Sequence, residues 1–242
     1  MIGKSITELD SVDSTNNYIA KAIEAGNYVW GTAILAHFQT NGRGQRAASW
    51  QSDKGLNILF SFALPLIAFD RRAYFSVSRA ISLGIVETLK PLTDAKVQIK
   101  WPNDILADQK KIAGILIENK LGDQPAAICG IGLNVNQTEF SNLSRATSLK
   151  LLSGKDFDKS KCLNNLLSNL NLEWNALYSG DFRDQKSRYE TELFGMSKSI
   201  PFKKGRLYGE GVITGTTEDG RLLFKTSDEL KAYLPKSIKL LY

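Results

Sequence analysis

One histidine, His37, and two cysteines, Cys129 and Cys162, are all that 242 residues offer to imidazole or thiol chemistry. A Ser-His-Asp triad would have to use His37, which lies in an apolar, strand-like run, and zinc clusters are excluded. The cysteines are far apart and lack metal-ligand spacing. Each reads as a small buried hydrophobe rather than a disulfide partner, which fits a reducing, cytoplasmic setting. No run approaches the roughly 18 uninterrupted apolar residues of a membrane span. The start of the chain, residues 1–13, is polar and carries no secretory signal. Internal repeats and low-complexity linkers are missing as well. Neither sign of charge is scarce: 31 Lys and Arg against 25 Asp and Glu leave +6 at pH 7. So small an excess reads first as solubility, although it also suits an anionic substrate, a nucleic acid or an acidic partner.

What is present describes a soluble globular chain, 43% apolar and 23% charged, with room for one sizeable core or a main domain and a small companion. Tyr18, Ile19, Ala22 and Ile23 have helical spacing, with Asp13 or Ser14 as the cap and Gly26 as the stop. Residues 30–38 and 55–64 predict buried strands. Phe75, Val77, Ile81, Ile85, Val86 and Leu89 predict a long core helix ended by Pro91. Strands follow at 97–101, 105–107, 112–118 and 126–135. The turns between them are too short for parallel crossovers, so antiparallel hairpins are expected. Helices are expected around 147–153, 159–179 and 182–193. After Met196 the texture changes to short segments broken by glycine, with Asp219-Gly220 as a hairpin signal. This predicts a small β-barrel at 198–242 appended to an α/β domain.

Four segments carry chemical signals. Residues 39–50 read Gln-Thr-Asn-Gly-Arg-Gly-Gln-Arg-Ala-Ala-Ser-Trp. Gly42 and Gly44 allow close backbone approach around Arg43, whose forked cation suits phosphate or carboxylate, with Arg46 close by. By itself the segment could equally be an RNA-binding scrap or a polar turn. Lys100-Trp101-Pro102-Asn103-Asp104 breaks a strand ladder at Pro102. It reads as an ordinary Pro-Asn-Asp turn or as a Mg²⁺–phosphate site, because Mg²⁺ needs one or two carboxylates plus phosphate oxygens. Lys111 begins an apolar strand that Gly114 interrupts, which marks either a β-bulge or the close approach of a ligand. Gly130-Ile131-Gly132-Leu133-Asn134 repeats the device, and a buried Asn134 needs partners, either a ligand or a loop.

The joint order is far more specific than any one segment. Ser-Thr-Asn at 14–16, Gln-Thr-x-Gly-Arg-Gly from 39, Lys-Trp-Pro-Asn-Asp from 100, Lys-x-Ala-Gly-Ile-Leu-x-Glu from 111 and Gly-x-Gly-x-Asn from 130 resemble the biotin protein ligases. The likeness covers residues 13–136 directly, and the small terminal domain continues it. It implies an α+β fold: a class II synthetase/SH2-like catalytic domain on a mixed, largely antiparallel sheet at 1–196, and an SH3-like β-barrel at 197–242. It also implies a reaction. Biotin's carboxylate attacks the α-phosphate of Mg·ATP to give biotinyl-5′-AMP and pyrophosphate. A lysine of a biotin carboxyl-carrier domain then takes the acyl group and AMP leaves.

Carried over by motif, Ser14, Thr15 and Gln39 bond the ureido ring, while Gly42 and Arg43 close over the activated carboxyl and phosphate. Trp50, Gly114, Ile115 and Gly132 line the biotin pocket. Lys111 neutralises charge developing at the carboxyl and α-phosphate, with Arg43 as its catalytic companion. Arg46, Lys100, Asn103 and Asn134 serve ATP, and Asp104 serves Mg²⁺.

Two departures stand out. Where many members read Gly-Arg-Gly-Arg-Arg-Gly-Arg, this chain has Gln45 and Ala47, so the adenylate is expected to escape more readily unless Arg46 supplies the missing charge. Ser14 also arrives too early for a preceding helix-turn-helix domain, so specific DNA binding is not expected. Monomer and homodimer both stay open, since an exposed sheet edge can pair or be covered. Rival readings are a lipoate–protein ligase, against which the polar Ser14-Thr15/Gln39 end argues, and a nucleic-acid-binding protein, which lacks repeated aromatic platforms. A third is a protein that binds biotin without activating it, against which Lys100, Asp104 and Lys111 argue.

Overall fold

Seven strands and the helices packed on them build the larger layer of the molecule, a computed structural model that describes every residue except 46–47, 67–73, 122–124, 142, 228, 236 and 242. The strands are β1 (Ser5–Leu9), β2 (Thr32–Ala36), β3 (Ile58–Pro65), β4 (Val97–Lys100), β5 (Asp104–Ala107), β6 (Lys110–Lys120) and β7 (Ala126–Leu133). Their order is β1-β2-β3-β7-β6-β5-β4. Only β1 and β2 run parallel, and every other neighbour is antiparallel. The antiparallel hairpins expected from the short turns are therefore present, as is the mixed, largely antiparallel sheet that the resemblance implies. Asp108 and Gln109 join β5 to β6 with φ of 45° and 64°, the left-handed pair that a tight hairpin needs.

Side chains alternate across a strand, so the sheet has two distinct faces. Phe60, Ile131 and Ile115 are cross-strand neighbours on one face. There they share the main core with α2 (Tyr74–Leu89) and α4 (Lys159–Tyr178). The other face receives α1 (Thr15–Glu24), which buries Ile19 against Ile34, Ala63 and Ile128. Beyond α1 this second face is open, and the cleft lies there.

Two expectations are corrected here. β1 went unread because its edge position leaves most of Ser5–Leu9 exposed, so it carries almost no apolar alternation. Ser14 is the N-cap of α1 by backbone, yet its hydroxyl makes no capping bond. The Asp13 carboxylate, one residue further out, accepts from Ser14 N and from Asn17 Nδ2. These bonds, Asn17's first, hold it below the usual carboxylate range.

After α3 (Leu149–Ser153), α4 and α5 (Phe182–Thr191) the chain enters a five-stranded antiparallel sheet. Its order is β11-β10-β9-β8-β12, from β8 (Ser199–Lys204), β9 (Leu207–Thr216), β10 (Leu222–Lys225), β11 (Leu230–Tyr233) and β12 (Lys239–Leu240). Asp219-Gly220 sits in the β9–β10 connection as expected, with Gly220 at φ +85°. This turn is seated on the larger layer. A Cβ on Gly220 would overlap the Phe75 ring, and the buried Trp101 Nε1–H donates to Gly220 O at 2.9 Å. Trp101→Phe keeps the ring and deletes the donor. It should cost about 1–3 kcal/mol, the penalty for a buried carbonyl left unpaired, read as a lower midpoint in urea unfolding with unchanged slope.

Candidate functional site

Register decides which residues share the open face of the sheet. Ser61 pairs with Gly130, Gly130 with Leu116 and Gly132 with Gly114, and Gly114 with Asp104. In a regular ladder Lys111 would point the other way, three residues from Gly114. A register shift opposite Ile105 and Leu106 sets Lys111 across from Leu106, so the extra residue turns the lysine onto the site face. Ile112 then goes fully into the core. Of the two readings offered for Gly114, the bulge exists, displaced toward Lys111.

Gly114 and Gly132 are directly opposed, and their bare backbone forms a floor on which the Trp50 indole stands. A Cβ at either position would overlap that ring. Gly42 serves the neck of its own loop: a Cβ there would overlap Trp50 O, and Gly42 O accepts from Trp50 N at 2.9 Å. Neither Gly42 nor Gly44 takes a positive φ. Lys111 Nζ stands 5.2 Å from the centroid of Trp50, and the indole Nε1 is buried without a partner among the described residues.

Polar groups from α1, β2's exit and β3 converge at one end of this floor. Thr15 N donates to Gln39 Oε1 at 2.8 Å, and Thr15 Oγ1 lies 3.0 Å from the same oxygen. The backbone N–H thereby fixes which end of the Gln39 amide faces the helix. Thr15 Oγ1 also meets Ser61 Oγ at 2.6 Å, and Ser61 Oγ donates to Asn16 Oδ1 at 2.6 Å. Asn16 Nδ2 donates to Glu118 Oε2 at 2.9 Å. Buried hydroxyl and amide groups in such a chain order one another and give a small polar ligand several fixed contacts.

The opposite end is charged. Asp104 Oδ1 lies 2.6 Å from Lys111 Nζ and Asp104 Oδ2 lies 3.8 Å from Lys100 Nζ. Two ammonium groups on one carboxylate leave this end net positive, so it attracts anions. Asn103 Nδ2 donates to Ile115 O at 2.8 Å, strapping the β4–β5 turn onto β6. Asn134 Nδ2 donates to Thr147 O at 2.9 Å, while its Oδ1 is buried with no partner among the described residues.

A cavity of about 190 Å³ gathers Ser14, Thr15, Gln39, Arg43, Trp50, Asn103, Asp104, Lys111, Gly114, Ile115 and Gly132. Ile115 contributes backbone only, since its side chain belongs to the core. Through Trp50, Asp104 and Lys111 this cavity joins a second of about 400 Å³, lined also by Lys100, Asn134, Phe140, Leu143 and Arg145. A third, of about 720 Å³, lies between the Lys100–Asp104 turn, Gln45 and Ile238–Leu241. Asp104 borders all three.

Most of the expected site residues are thus brought together. Gly42 stands behind them in the loop neck, and Arg46, like Ala47, lies outside the described residues. Arg43 reaches Glu118 rather than Lys111. Among the described residues no group of three His, Cys, Asp or Glu side chains could hold a metal. His37 pairs with Glu8 at 2.9 Å and lines none of these cavities. Asn16, Ser61, Glu118 and Gly130 join the polar end without a role expected from sequence, although all but Ser61 stand within the quoted motifs. Glu118, an acid in an otherwise apolar stretch of strand, and Ser61, a hydroxyl amid Ile58–Leu64, were the signals that could have found them.

A polar, walled cavity that shares a lysine and a tryptophan with a larger cationic one defines a protein that brings a small polar molecule against an anionic co-substrate. Residues 8–136 match the Biotin/lipoate A/B protein ligase family, and the chain belongs to that family. The bifunctional ligase/repressor BirA of Bacillus spizizenii is 28% identical over 99% of this chain and 75% of its own length. The biotin–[acetyl-CoA-carboxylase] ligase of Mycobacterium tuberculosis is 31% identical over 80% of this chain and 77% of its own. In structure, the biotin protein ligase of Aquifex aeolicus, solved with biotin and ATP, superposes with a TM-score of 0.83 at 29% identity. It covers 98% of this chain and 99% of that one. No helix among the described residues is long and apolar enough to cross a membrane.

Proposed function

We propose that this chain is an ATP-dependent biotin–protein ligase that joins biotin to a lysine of a biotin carrier domain through biotinyl-5′-AMP. The observation that carries the proposal is the pair Lys111–Asp104, 2.6 Å apart, at the junction of the polar cavity and the larger cationic one. A carboxylate does not acylate an amine directly, because its oxygen leaves poorly. Transfer of AMP from ATP to the carboxyl, with loss of pyrophosphate, supplies a leaving group. The carrier lysine then attacks the carbonyl and AMP departs.

In this reading Thr15, Gln39 and Ser14, together with Ser61 and Asn16, hold the ureido end. Trp50 over Gly114, Gly132 and the Ile115 backbone encloses the bicyclic ring and chain, and its unpaired Nε1–H offers a donor to the ligand. Lys111 balances the negative charge that grows at the carboxyl and α-phosphate. Asn134 Oδ1 and Lys100 line the ATP side, with Asn103 fixing the turn between them. Mg²⁺ would travel with the ATP phosphates. Asp104, already bridged to two ammonium groups, does not fit a metal site held by the protein. Residues 1–196 carry the chemistry and 197–242 brace the Lys100–Asp104 turn from behind.

Pyrophosphate release from Mg·ATP, measured with biotin and separately with lipoate and without acceptor, tests the proposal. Release with biotin alone is expected. Release with lipoate alone would transfer the chain to the lipoate branch of the family, and silence with both from folded protein would overturn the ligase reading. Gln45 borders both the polar cavity and the 720 Å³ cleft. An arginine there adds a charge-assisted bond toward the adenylate, so Gln45→Arg should slow adenylate release about five- to tenfold. Chasing pre-formed biotinyl-5′-AMP with unlabelled biotin reads this directly, and an unchanged release rate counts against a role for Gln45.

A further inference from the structure

Thr15, Ser61 and Asn16 are buried side by side at the polar end of the cavity, and a carboxylate stands at the far end of their row. Glu118 lies on the site face of β6 four residues beyond Gly114, which at about 3.3 Å per residue is roughly 13 Å along the strand. Its carboxylate pairs with Arg43, Nη2 to Oε1 at 2.6 Å, and accepts from Asn16 Nδ2 on Oε2 at 2.9 Å. Leu116 O accepts from the same Nδ2 at 3.4 Å. An ionised carboxylate and a carbonyl can only accept, so together they hold the Asn16 amide with its nitrogen toward β6 and its Oδ1 toward β3. There the fully buried Ser61 Oγ donates to Asn16 Oδ1 at 2.6 Å. Gly130 makes the room, since a Cβ on it would fall on Asn16 Oδ1.

A hydroxyl has one hydrogen. With that of Ser61 committed to Asn16, the 2.6 Å contact between Thr15 Oγ1 and Ser61 Oγ needs the hydrogen of Thr15. Gln39 Oε1, 3.0 Å from Thr15 Oγ1, is supplied instead by Thr15 N at 2.8 Å. The bonds therefore run one way, from Thr15 to Ser61 to Asn16 to Glu118. At the cavity they end in a Thr15 oxygen that has only lone pairs to offer. Gln39, with its Oε1 turned to the helix, keeps its Nε2–H groups for the other side. An acceptor beside a donor matches the N–H and C=O of a urea, and it matches nothing in a dithiolane ring.

We propose that Glu118 is a positioning residue that decides ligand specificity: it sets the direction of this chain of bonds and so makes Thr15 Oγ1 an acceptor toward the ligand. Glu118 lines none of the three cavities, and it acts entirely through Asn16, Ser61 and Thr15. Buried links of this kind polarise one another. In Glu118→Gln, Arg43 claims the Oε1 of the new amide and turns its Nε2 on Asn16, which must flip and donate to Ser61. The hydrogens then run back toward Thr15, whose own hydrogen is released to face the ligand. Asn16→Asp/Glu118→Gln moves the carboxylate one link along and leaves Ser61 and Thr15 donating as before. The inference rests on the ligase reading for its ureido ligand, whereas the direction of the bonds does not.

Two measurements on the full chain test it. Neutron diffraction from deuterium-exchanged crystals without ligand should place the Ser61 deuteron toward Asn16 Oδ1 and the Thr15 deuteron toward Ser61 Oγ. Deuterons running the other way, or a Thr15 deuteron on Gln39, overturn the proposal whatever the chain binds. Titration calorimetry then compares biotin with its two cyclic carbamate analogues, each carrying a ring oxygen in place of one ureido N–H. The parent should bind one of them at least about a hundredfold more weakly than biotin, because a site built for a donor rejects the analogue that lacks it. Glu118→Gln should narrow that ratio about tenfold, and Asn16→Asp/Glu118→Gln should restore it. A ratio unchanged in Glu118→Gln, or still narrow in the double variant, overturns the role of Glu118. Loss of packing or of the Arg43 pair alone would not be mended by moving the carboxylate to position 16. Failure of the parent to take up biotin sinks the ligase reading, and the deuterons still decide the direction.

Discussion

Lys111→Met is expected to slow biotin-dependent pyrophosphate release about a hundred- to a thousandfold, the range seen when one preorganised donor to a developing anion is removed. The bulge opposite Ile105 and Leu106 puts this ammonium on the site face, and contact with the Trp50 ring shields it on one side. Little reorganisation is needed when charge builds on the carboxyl and α-phosphate. Removing it does further damage by leaving Asp104 with Lys100 at 3.8 Å as its other ion-pair partner, so an under-neutralised carboxylate then faces two anionic substrates. The double variant Lys111→Met/Asp104→Asn should therefore recover part of the ATP affinity without recovering the rate. Single-turnover kinetics with separate KM and kcat for ATP make the comparison. A Lys111→Met rate within tenfold of the parent would reduce Lys111 to a partner of Asp104.

Arg79→Ala is expected to cost about 3 kcal/mol of stability, through lost packing and a buried carbonyl left without its donor. In a chain of this size that corresponds to a melting temperature lower by roughly 6–12 °C. Arg79 is 1% exposed. From α2 it donates to Thr217 O at 2.7 Å, pairs with Glu218 at 3.2 Å and lies 5.2 Å from the Phe75 centroid. Glu190 of α5 holds the same segment by accepting from Thr216 N and Thr216 Oγ1. The β9–β10 turn is thus seated in a socket, and Gly220 O in that socket anchors Trp101. Because Trp101 precedes Asn103 and Asp104, loosening the socket should also raise KM for ATP while leaving biotin affinity nearly unchanged. Differential scanning calorimetry and paired titrations check both halves. A melting loss without any change toward ATP would mean that the terminal sheet supports the fold alone.

Several parts of the architecture were open to reading in the chain because their causes are local. Helical spacing from Tyr18 to Ile23 and again from Phe75 to Leu89 produced α1 and α2 near their expected limits. Short turns at Asp108-Gln109 and Asp219-Gly220 enforced antiparallel pairing. The Lys100–Asp104 and Lys111–Glu118 segments declared themselves as motifs because each spans only a few residues of strand and turn. What escaped was of another kind. β1 is an edge strand whose existence depends on β2 beside it, and the cap expected from Asp13 or Ser14 is replaced at the first amide of α1 by Gln39, which accepts from Thr15 N.

Composition alone, with one histidine and two scattered cysteines, argued against imidazole chemistry and zinc clusters, and the order of short motifs pointed to the family. Only the tertiary structure decided how those motifs meet. It placed Glu118, Ser61 and Asn16 in one hydrogen-bonded chain although they lie on β6, β3 and α1, and no periodicity within any one of those segments encodes that encounter. It turned Lys111 onto the site face by one extra residue in β6. It gave Gly114 and Gly132 to the Trp50 ring, and it matched Arg43 with an acid at the end of the cleft away from Lys111. Secondary structure follows from neighbours in sequence, whereas side-chain facing and charge pairing depend on register between strands that are far apart in the chain.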